Sequence, residues 1–257
     1  MRRRQLGQNF LTDDRVAARM LDLAAVARGD LVVEFGAGRG ALTRPLLDRG
    51  ARVVAVELDP TWVTALRRDL AGRPGLEVVA GDALEVALPT EPFRVIANPP
   101  FGATTAILRR LLGGAVPLVD ATLLLQLETA RRVSGAPAVG RFSLGWAPWF
   151  ELTVHDRVSR QVFRPVPATD AAILQVRPRP VPWLSPARFA EWDAFVDRVF
   201  RASGRTAADR LEVALGSKVA RTVSRAAAVE TVRPPSRLPV EAWLALFRAL
   251  PRRDVDR

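Results

Sequence analysis

Short apolar runs alternate with helix-spaced stretches along the first two-thirds of the chain. Residues 31–35, Leu31-Val32-Val33-Glu34-Phe35, run straight into a glycine cluster. That is the pattern of a parallel strand buried on both faces. Residues 52–56, 76–80, 93–97 and 122–127 repeat it. Between them, residues 41–48, 60–70 and 104–112 read as helices, with Pro60 suited to a first turn. Ahead of them all, Thr12-Asp13-Asp14 offers a cap and first-turn acids to a helix with apolar positions Val16, Met20, Leu21, Leu23 and Ala24. Alternation of this kind predicts a doubly wound α/β sheet. Two further β-rich stretches, 150–158 and 171–176, complete it.

The texture changes at Pro178, Pro180, Pro182 and Pro186, which read as a stiff linker. Beyond it residues 186–201, 207–219 and 240–250 are helical in pattern. The expected division is therefore a sheet domain, 1–177, and a small helical domain, 178–257. Three of the six tryptophans fall in the last 75 residues, and the tryptophans read as core anchors of that small domain.

Composition removes several classes of chemistry. The chain has no cysteine and one histidine, His155. Disulfides, thiolate metal sites and cysteine nucleophiles are excluded, and a metal site or Ser-His relay is not expected. The net charge is +11, and every basic residue except Lys218 is arginine. The excess of base over acid favours a polyanionic partner, nucleic acid above all. The helical region is the more densely basic, +6 in 80 residues against +5 in the first 177. The basic start, Met1 to Gln8, is not followed by an apolar run, and residues 121–125 are far too short to span a bilayer. A soluble, cytoplasmic monomer is the expectation.

The chemistry-bearing residues sit where strands end. Glu34-Phe35-Gly36-Ala37-Gly38-Arg39-Gly40 follows the first buried strand, and glycines there let the backbone approach a ligand closely. The spacing is G-x-G-x-G rather than the G-x-G-x-x-G of a dinucleotide site. Glu57 ends the next strand and can accept both hydroxyls of a ribose. Asp82, in Gly81-Asp82-Ala83, follows the third and is placed to meet an adenine amine. Glu57 and Asp82 could instead only cap the helices that follow them. Asn98-Pro99-Pro100-Phe101 follows the fourth strand. Its prolines fix the backbone and remove two N–H donors, leaving the Asn98 side-chain oxygen and the Pro99 carbonyl as acceptors beside the flat face of Phe101. That combination suits a planar base carrying an exocyclic amine.

With these motifs the sequence resembles the S-adenosylmethionine-dependent adenine-N6 methyltransferases, and among them the Erm ribosomal RNA methyltransferases of macrolide–lincosamide–streptogramin B resistance. The stretches that carry the resemblance are Gln8-Asn9-Phe10-Leu11, the Glu34 to Gly40 loop, Val56-Glu57-Leu58-Asp59, Gly81-Asp82-Ala83, Asn98 to Phe101 and Val162-Phe163-Arg164-Pro165-Val166-Pro167 with Asp170-Ala171-Ala172-Ile173-Leu174 after it. The resemblance covers residues 5–177, and Leu238-Pro239-Val240-Glu241-Ala242-Trp243 is the matching piece of the tail. Two departures stand out. The family often has Asn-Ile/Leu-Pro-Tyr where this chain has Asn98-Pro99-Pro100-Phe101, so no mechanism here can use a tyrosine hydroxyl. The glycine loop has Ala37 where many relatives carry proline or serine.

The resemblance implies a Rossmann-like S-adenosylmethionine-binding sheet, S-adenosylmethionine as cofactor and large-subunit ribosomal RNA as partner. It places Asn9 and Leu11 along the methionine end of the cofactor, Gly36 and Gly38 beside it, Glu57 on the ribose, and Asp82 with Ala83 at the adenine. Asn98 would serve both cofactor and target amine, with Pro99 the second acceptor. Phe101 would stack on the flipped target adenine and Phe163 would offer a second stacking face. For RNA phosphates the candidates are Arg109, Arg110, Arg131, Arg132, Arg141, Arg160 and Arg164, all on segments near the site. Three alternatives remain open at this level: the KsgA family of small-subunit rRNA dimethyltransferases, a DNA adenine methyltransferase, and a non-catalytic RNA- or promoter-binding protein of the same fold.

Overall fold

The computed structural model of the chain describes residues 9–114 and 116–251, so the basic start and Gln8 lie outside the described residues. It divides into two compact units. One holds the residues up to Ala130 together with Phe150–Pro178; the other holds Arg131–Trp149 and the chain from Arg179 onward.

The first unit is built on a seven-stranded sheet. Its strands are β2 (Leu31–Phe35), β3 (Arg52–Glu57), β4 (Leu76–Ala80), β5 (Phe93–Ala97), β6 (Leu118–Gln126), β7 (Phe150–Val158) and β9 (Ala171–Pro178), in the order β4-β3-β2-β5-β6-β9-β7. β2 to β6 run parallel, and β9 and β7 add on antiparallel. A separate two-stranded ribbon pairs β1 (Phe10–Leu11) with β8 (Phe163–Arg164). The helices are α1 (Asp14–Leu23), α2 (Thr43–Asp48), α3 (Pro60–Asp69) and α4 (Thr104–Gly113). Every residue of β2 is buried, Glu34 together with its apolar neighbours. Asp13 caps α1 through the amide of Arg15, and Asp59 caps α3 through that of Thr61. The topology has one consequence for function. Strand order reverses between β2 and β5, so the loops that follow them flank the crevice where ligands of open α/β sheets bind.

Three differences from the sequence pattern have physical causes. β6 begins at Leu118 rather than at 122, because Asp120 is buried and neutralised by Arg94, which also donates to Asp30 at 2.9 Å. A carboxylate that falls outside the expected strand, 122–127, is thus inside the observed one. The helix expected over 207–219 is two, α8 (Ala207–Leu215) and α9 (Ser217–Ala227), broken where Gly216 takes φ +84°. And residues 131–149, expected with the sheet, group with the C-terminal helices. They carry α6 (Arg141–Trp146) and the end of α5 (Leu127–Ser134), helices too short to give a clear period.

The second unit also contains α7 (Phe189–Arg201) and α10 (Val240–Arg248). Its core is aromatic. Trp192 meets the edge of Phe247 at 5.1 Å, and Phe195 packs against Trp243 and Phe247. Trp192 Nε1 donates to the Leu144 carbonyl at 3.1 Å, which ties α7 to α6. Trp192 and Trp243 are fully buried anchors, as read from the sequence. Trp62 is not one of them; it lies in α3 of the sheet unit. Among the described residues no helix is long and apolar enough to cross a membrane, and no group of three or more His, Cys, Asp or Glu is placed to hold a metal.

Candidate active site

A cleft of about 350 Å³ opens at the carboxyl ends of β2 to β5. Five of its segments come from the sequence motifs: Asn9, Gly36 and Gly38, Glu57, Asp82 and Ala83, and Asn98 to Phe101. The glycine loop turns tightly, with φ +74° at Gly36 and +50° at Gly38. A Cβ on Gly38 would stand 2.9 Å from a ring carbon of Phe10, so only glycine fits between loop and ring.

Glu57 is 3% exposed. Its Oε2 accepts from the Gly38 amide at 2.7 Å and its Oε1 from the Asp59 amide at 2.8 Å. The carboxylate therefore locks the glycine loop to the end of β3. Two acceptor sites fewer than a carboxylate's four are used by these bonds, and the rest remain for a ligand. Asp82 works in the same way at the end of β4. Its Oδ1 accepts from the Leu84 amide at 2.8 Å, and its carbonyl accepts from the amides of Glu85 and Val86. Both acids thus cap local turns and line the cleft as well.

Asn98 is held by a single informative bond. Its Nδ2 donates to the Asn9 carbonyl at 2.9 Å. A carbonyl can only accept, so the side-chain atom facing Asn9 is the nitrogen, and Oδ1 is the atom left to receive a donor. The arrangement supplies one acceptor at Oδ1 and another at the carbonyl of Pro99, whose ring excludes a competing N–H. Phe101 lines the cleft beside them.

Four sequence expectations change. Phe163 is fully buried in the core and meets Phe101 edge-on at 6.5 Å, so it supports the Phe101 ring and offers no stacking face of its own. Leu11 is 6% exposed, sits in the same core and pairs with Phe163 across β1 and β8; it is not among the cleft residues. Arg141 is spent on Asp193 at 2.8 Å and Asp197 at 3.2 Å, within the second unit. Arg110 donates to the carbonyls of Ala83 and Val86. Of the other arginines, Arg109, Arg131 and Arg132 are exposed. Arg160 and Arg164 are exposed as well, each with one Nη on nearby carbonyls. His155 bonds Gln175 at 3.1 Å, an ordinary structural contact.

The sequence reading missed two residues. Phe10 stands between Asn9 and Leu11 in one of the quoted motifs, and it lines the cleft. Its ring lies edge-to-face on Trp62 at 5.1 Å, with the Arg39 guanidinium 5.0 Å from each ring. Glu34 was visible in the glycine motif, but its state was not. It is buried and accepts from the Thr43 hydroxyl at 2.6 Å, and desolvation, with repulsion from the Glu57 carboxylate, raises its pKa to about 8. A carboxyl pushed up on folding favours the folded protein fully below its unfolded value near 4.5, and that contribution is lost as pH climbs to about 8. Glu34→Gln should remove this dependence. Urea unfolding of the variant should therefore lose less stability than the wild type between pH 5 and pH 8; equal losses would mean that Glu34 does not stay protonated.

The family model described as ribosomal RNA adenine dimethylase matches residues 1–251. The chain belongs to that family. Members of this family are S-adenosylmethionine-dependent rRNA adenine methyltransferases, and the cleft fits such a cofactor: a buried carboxylate, a glycine cradle that a Cβ would fill, and a second acid lie along one crevice. Among its relatives are the mycinamicin-resistance protein MyrB of Micromonospora griseorubida, 35% identical over 96% of this chain and 78% of that protein, and the ribosomal RNA small subunit methyltransferase A of a Synechococcus species, 35% identical over 95% and 91%. The solved 23S rRNA methyltransferase ErmE superposes with a TM-score of 0.84 at 34% identity, over 94% of this chain and 99% of that one.

Proposed function

We propose that this member of the family transfers methyl groups to N6 of an adenine in large-subunit rRNA near the peptidyl-transferase centre, and so confers macrolide–lincosamide–streptogramin B resistance. The observation that carries the reading is the likeness to ErmE along nearly the whole of both chains. Methyl groups at such an adenine block a drug by bulk and by removing an amine donor. The protein acts in the cytoplasm as a monomer on this reading.

In the proposed site Glu57 holds the ribose of S-adenosylmethionine and Asp82 with Ala83 its adenine, while Asn9, Gly36 and Gly38 run along the rest. When bound, the cofactor supplies an already activated methyl carbon. The chain's task is the nucleophile. An adenine amine is weak because its lone pair is delocalised into the ring. Acceptors at Asn98 Oδ1 and the Pro99 carbonyl take its two N–H groups and draw the lone pair out of the ring plane. The target must first leave its stack, at a cost of a few kcal/mol, and the face of Phe101 offsets part of that. Arg109, Arg131, Arg132, Arg160 and Arg164 are the proposed phosphate contacts.

The pair Phe101 and Phe163 separates stacking from support. Phe101→Ala should weaken transfer by about 1–3 kcal/mol of lost stacking, read in kcat/KM for RNA, with little change in unfolding. Phe163→Ala should cost about 3–5 kcal/mol of stability instead. The reading as a whole is tested by expression in a macrolide-sensitive bacterium. Protection against macrolides that vanishes with Asn98→Ala is the expected result. Unchanged sensitivity, with methylated small-subunit RNA, would transfer the protein to the small-subunit branch of its family.

A further inference from the structure

Arg110 lies near the end of α4, a helix that starts just beyond Phe101 and whose Ile107 lines the cleft. Its Nη1 donates to the Ala83 carbonyl and its Nη2 to the Val86 carbonyl. Both belong to the loop after β4, where Asp82, Ala83 and Leu84 line the same cleft. Among the described residues no carboxylate forms an ion pair with this guanidinium, although Asp82 contributes to the field around it. One short helix thus joins the Asn98 to Phe101 turn at its start to the opposite loop near its end.

We infer that Arg110 is a positioning residue that sets the adenine-side wall of the cofactor cleft. The loop it grips is half exposed and has few apolar anchors of its own. Its Asp82-centred turn fixes residues 82–86 locally but does not fix their distance from α4. The planar fork of an arginine does, because two donors at fixed spacing hold two carbonyls at once. A lysine ammonium can hold one of them and is free to swing. With the fork gone, binding the cofactor must also order the loop, and affinity falls while the chemistry at Asn98 is untouched. The inference rests on reading the cleft as the cofactor site, and it removes Arg110 from the RNA-contacting set.

The experiment uses the full chain as wild type, Arg110→Ala and Arg110→Lys. Calorimetry gives S-adenosylmethionine affinity, steady-state transfer gives KM and kcat, and filter binding over a salt series gives RNA affinity. Arg110→Ala should weaken cofactor binding about 10- to 100-fold and raise KM for the cofactor alike. The kcat at saturating cofactor and the RNA affinity should stay within about twofold, a split that general destabilisation would not produce. Arg110→Lys should fall between the two. Should Arg110→Ala fail to fold, Arg110→Lys carries the same comparison. Weakened RNA binding with a shallower salt slope and unchanged cofactor affinity would overturn the inference in favour of a phosphate contact. No change in either affinity would overturn it too. A wild-type protein that binds no S-adenosylmethionine would instead sink the reading of the cleft.

Discussion

Asn98→Ala is expected to lower kcat for methyl transfer by about 10²- to 10³-fold, the loss seen when one preorganised polar group leaves an active site. The variant removes two things. The acceptor at Oδ1 disappears, so one amine hydrogen of the target has no partner and its lone pair stays in the ring. The Nδ2 bond to the Asn9 carbonyl also goes, which removes one tie on the segment that enters β1. The first loss acts on chemistry and the second on the shape of the cleft, so cofactor affinity should fall far less than kcat. Asn98→Asp separates them. It keeps the acceptors but cannot donate to Asn9, and two oxygens then face each other. Single-turnover transfer from labelled cofactor, beside calorimetry, checks both. Transfer by Asn98→Ala within about threefold of wild type would remove Asn98 from the chemistry.

Glu57→Ala is the second large effect, and it should appear in stability and in cofactor binding together. The carboxylate is buried and satisfies the amides of Gly38 and Asp59. Leaving two such donors without partners costs about 1–3 kcal/mol each. The glycine loop then loses its tie to β3, and the proposed ribose acceptor is gone. Urea unfolding should show a loss of about 2–6 kcal/mol, and S-adenosylmethionine should no longer raise the unfolding temperature. Glu57→Gln is the informative partner. Its one remaining oxygen can serve only one amide well, and its NH₂ group opposes the other. A Glu57→Ala variant stabilised by the cofactor as strongly as wild type would show that Glu57 serves the loop alone.

The sequence made most of the sheet legible because its parallel strands are short, mostly apolar runs, and β2 to β5 each end in their own punctuation of glycine, acid or proline. The same punctuation marks the cleft, which is why Gly36, Glu57, Asp82 and Asn98 could be named in advance. What escaped was set by partners distant in the chain. Asp120 is strand because Arg94 faces it. Phe163 is core because β8 pairs with β1, a contact more than 150 residues apart in sequence. Arg110 and Arg141 look alike as letters, yet one grips carbonyls of the sheet unit and the other bridges two aspartates of the helical unit. No local pattern tells an arginine that is spent from one that is free.

One assay tests the proposed activity most directly: methyl transfer from labelled S-adenosylmethionine to separately purified, unmodified large- and small-subunit rRNA, followed by nucleoside mass spectrometry, with Asn98→Ala alongside. The expected result is N6-methyladenosine or its dimethyl form in the large-subunit RNA alone, absent with the variant; the ratio of the two forms counts the methyl groups added. Label confined to the small-subunit RNA, or incorporation undiminished by Asn98→Ala, would contradict it.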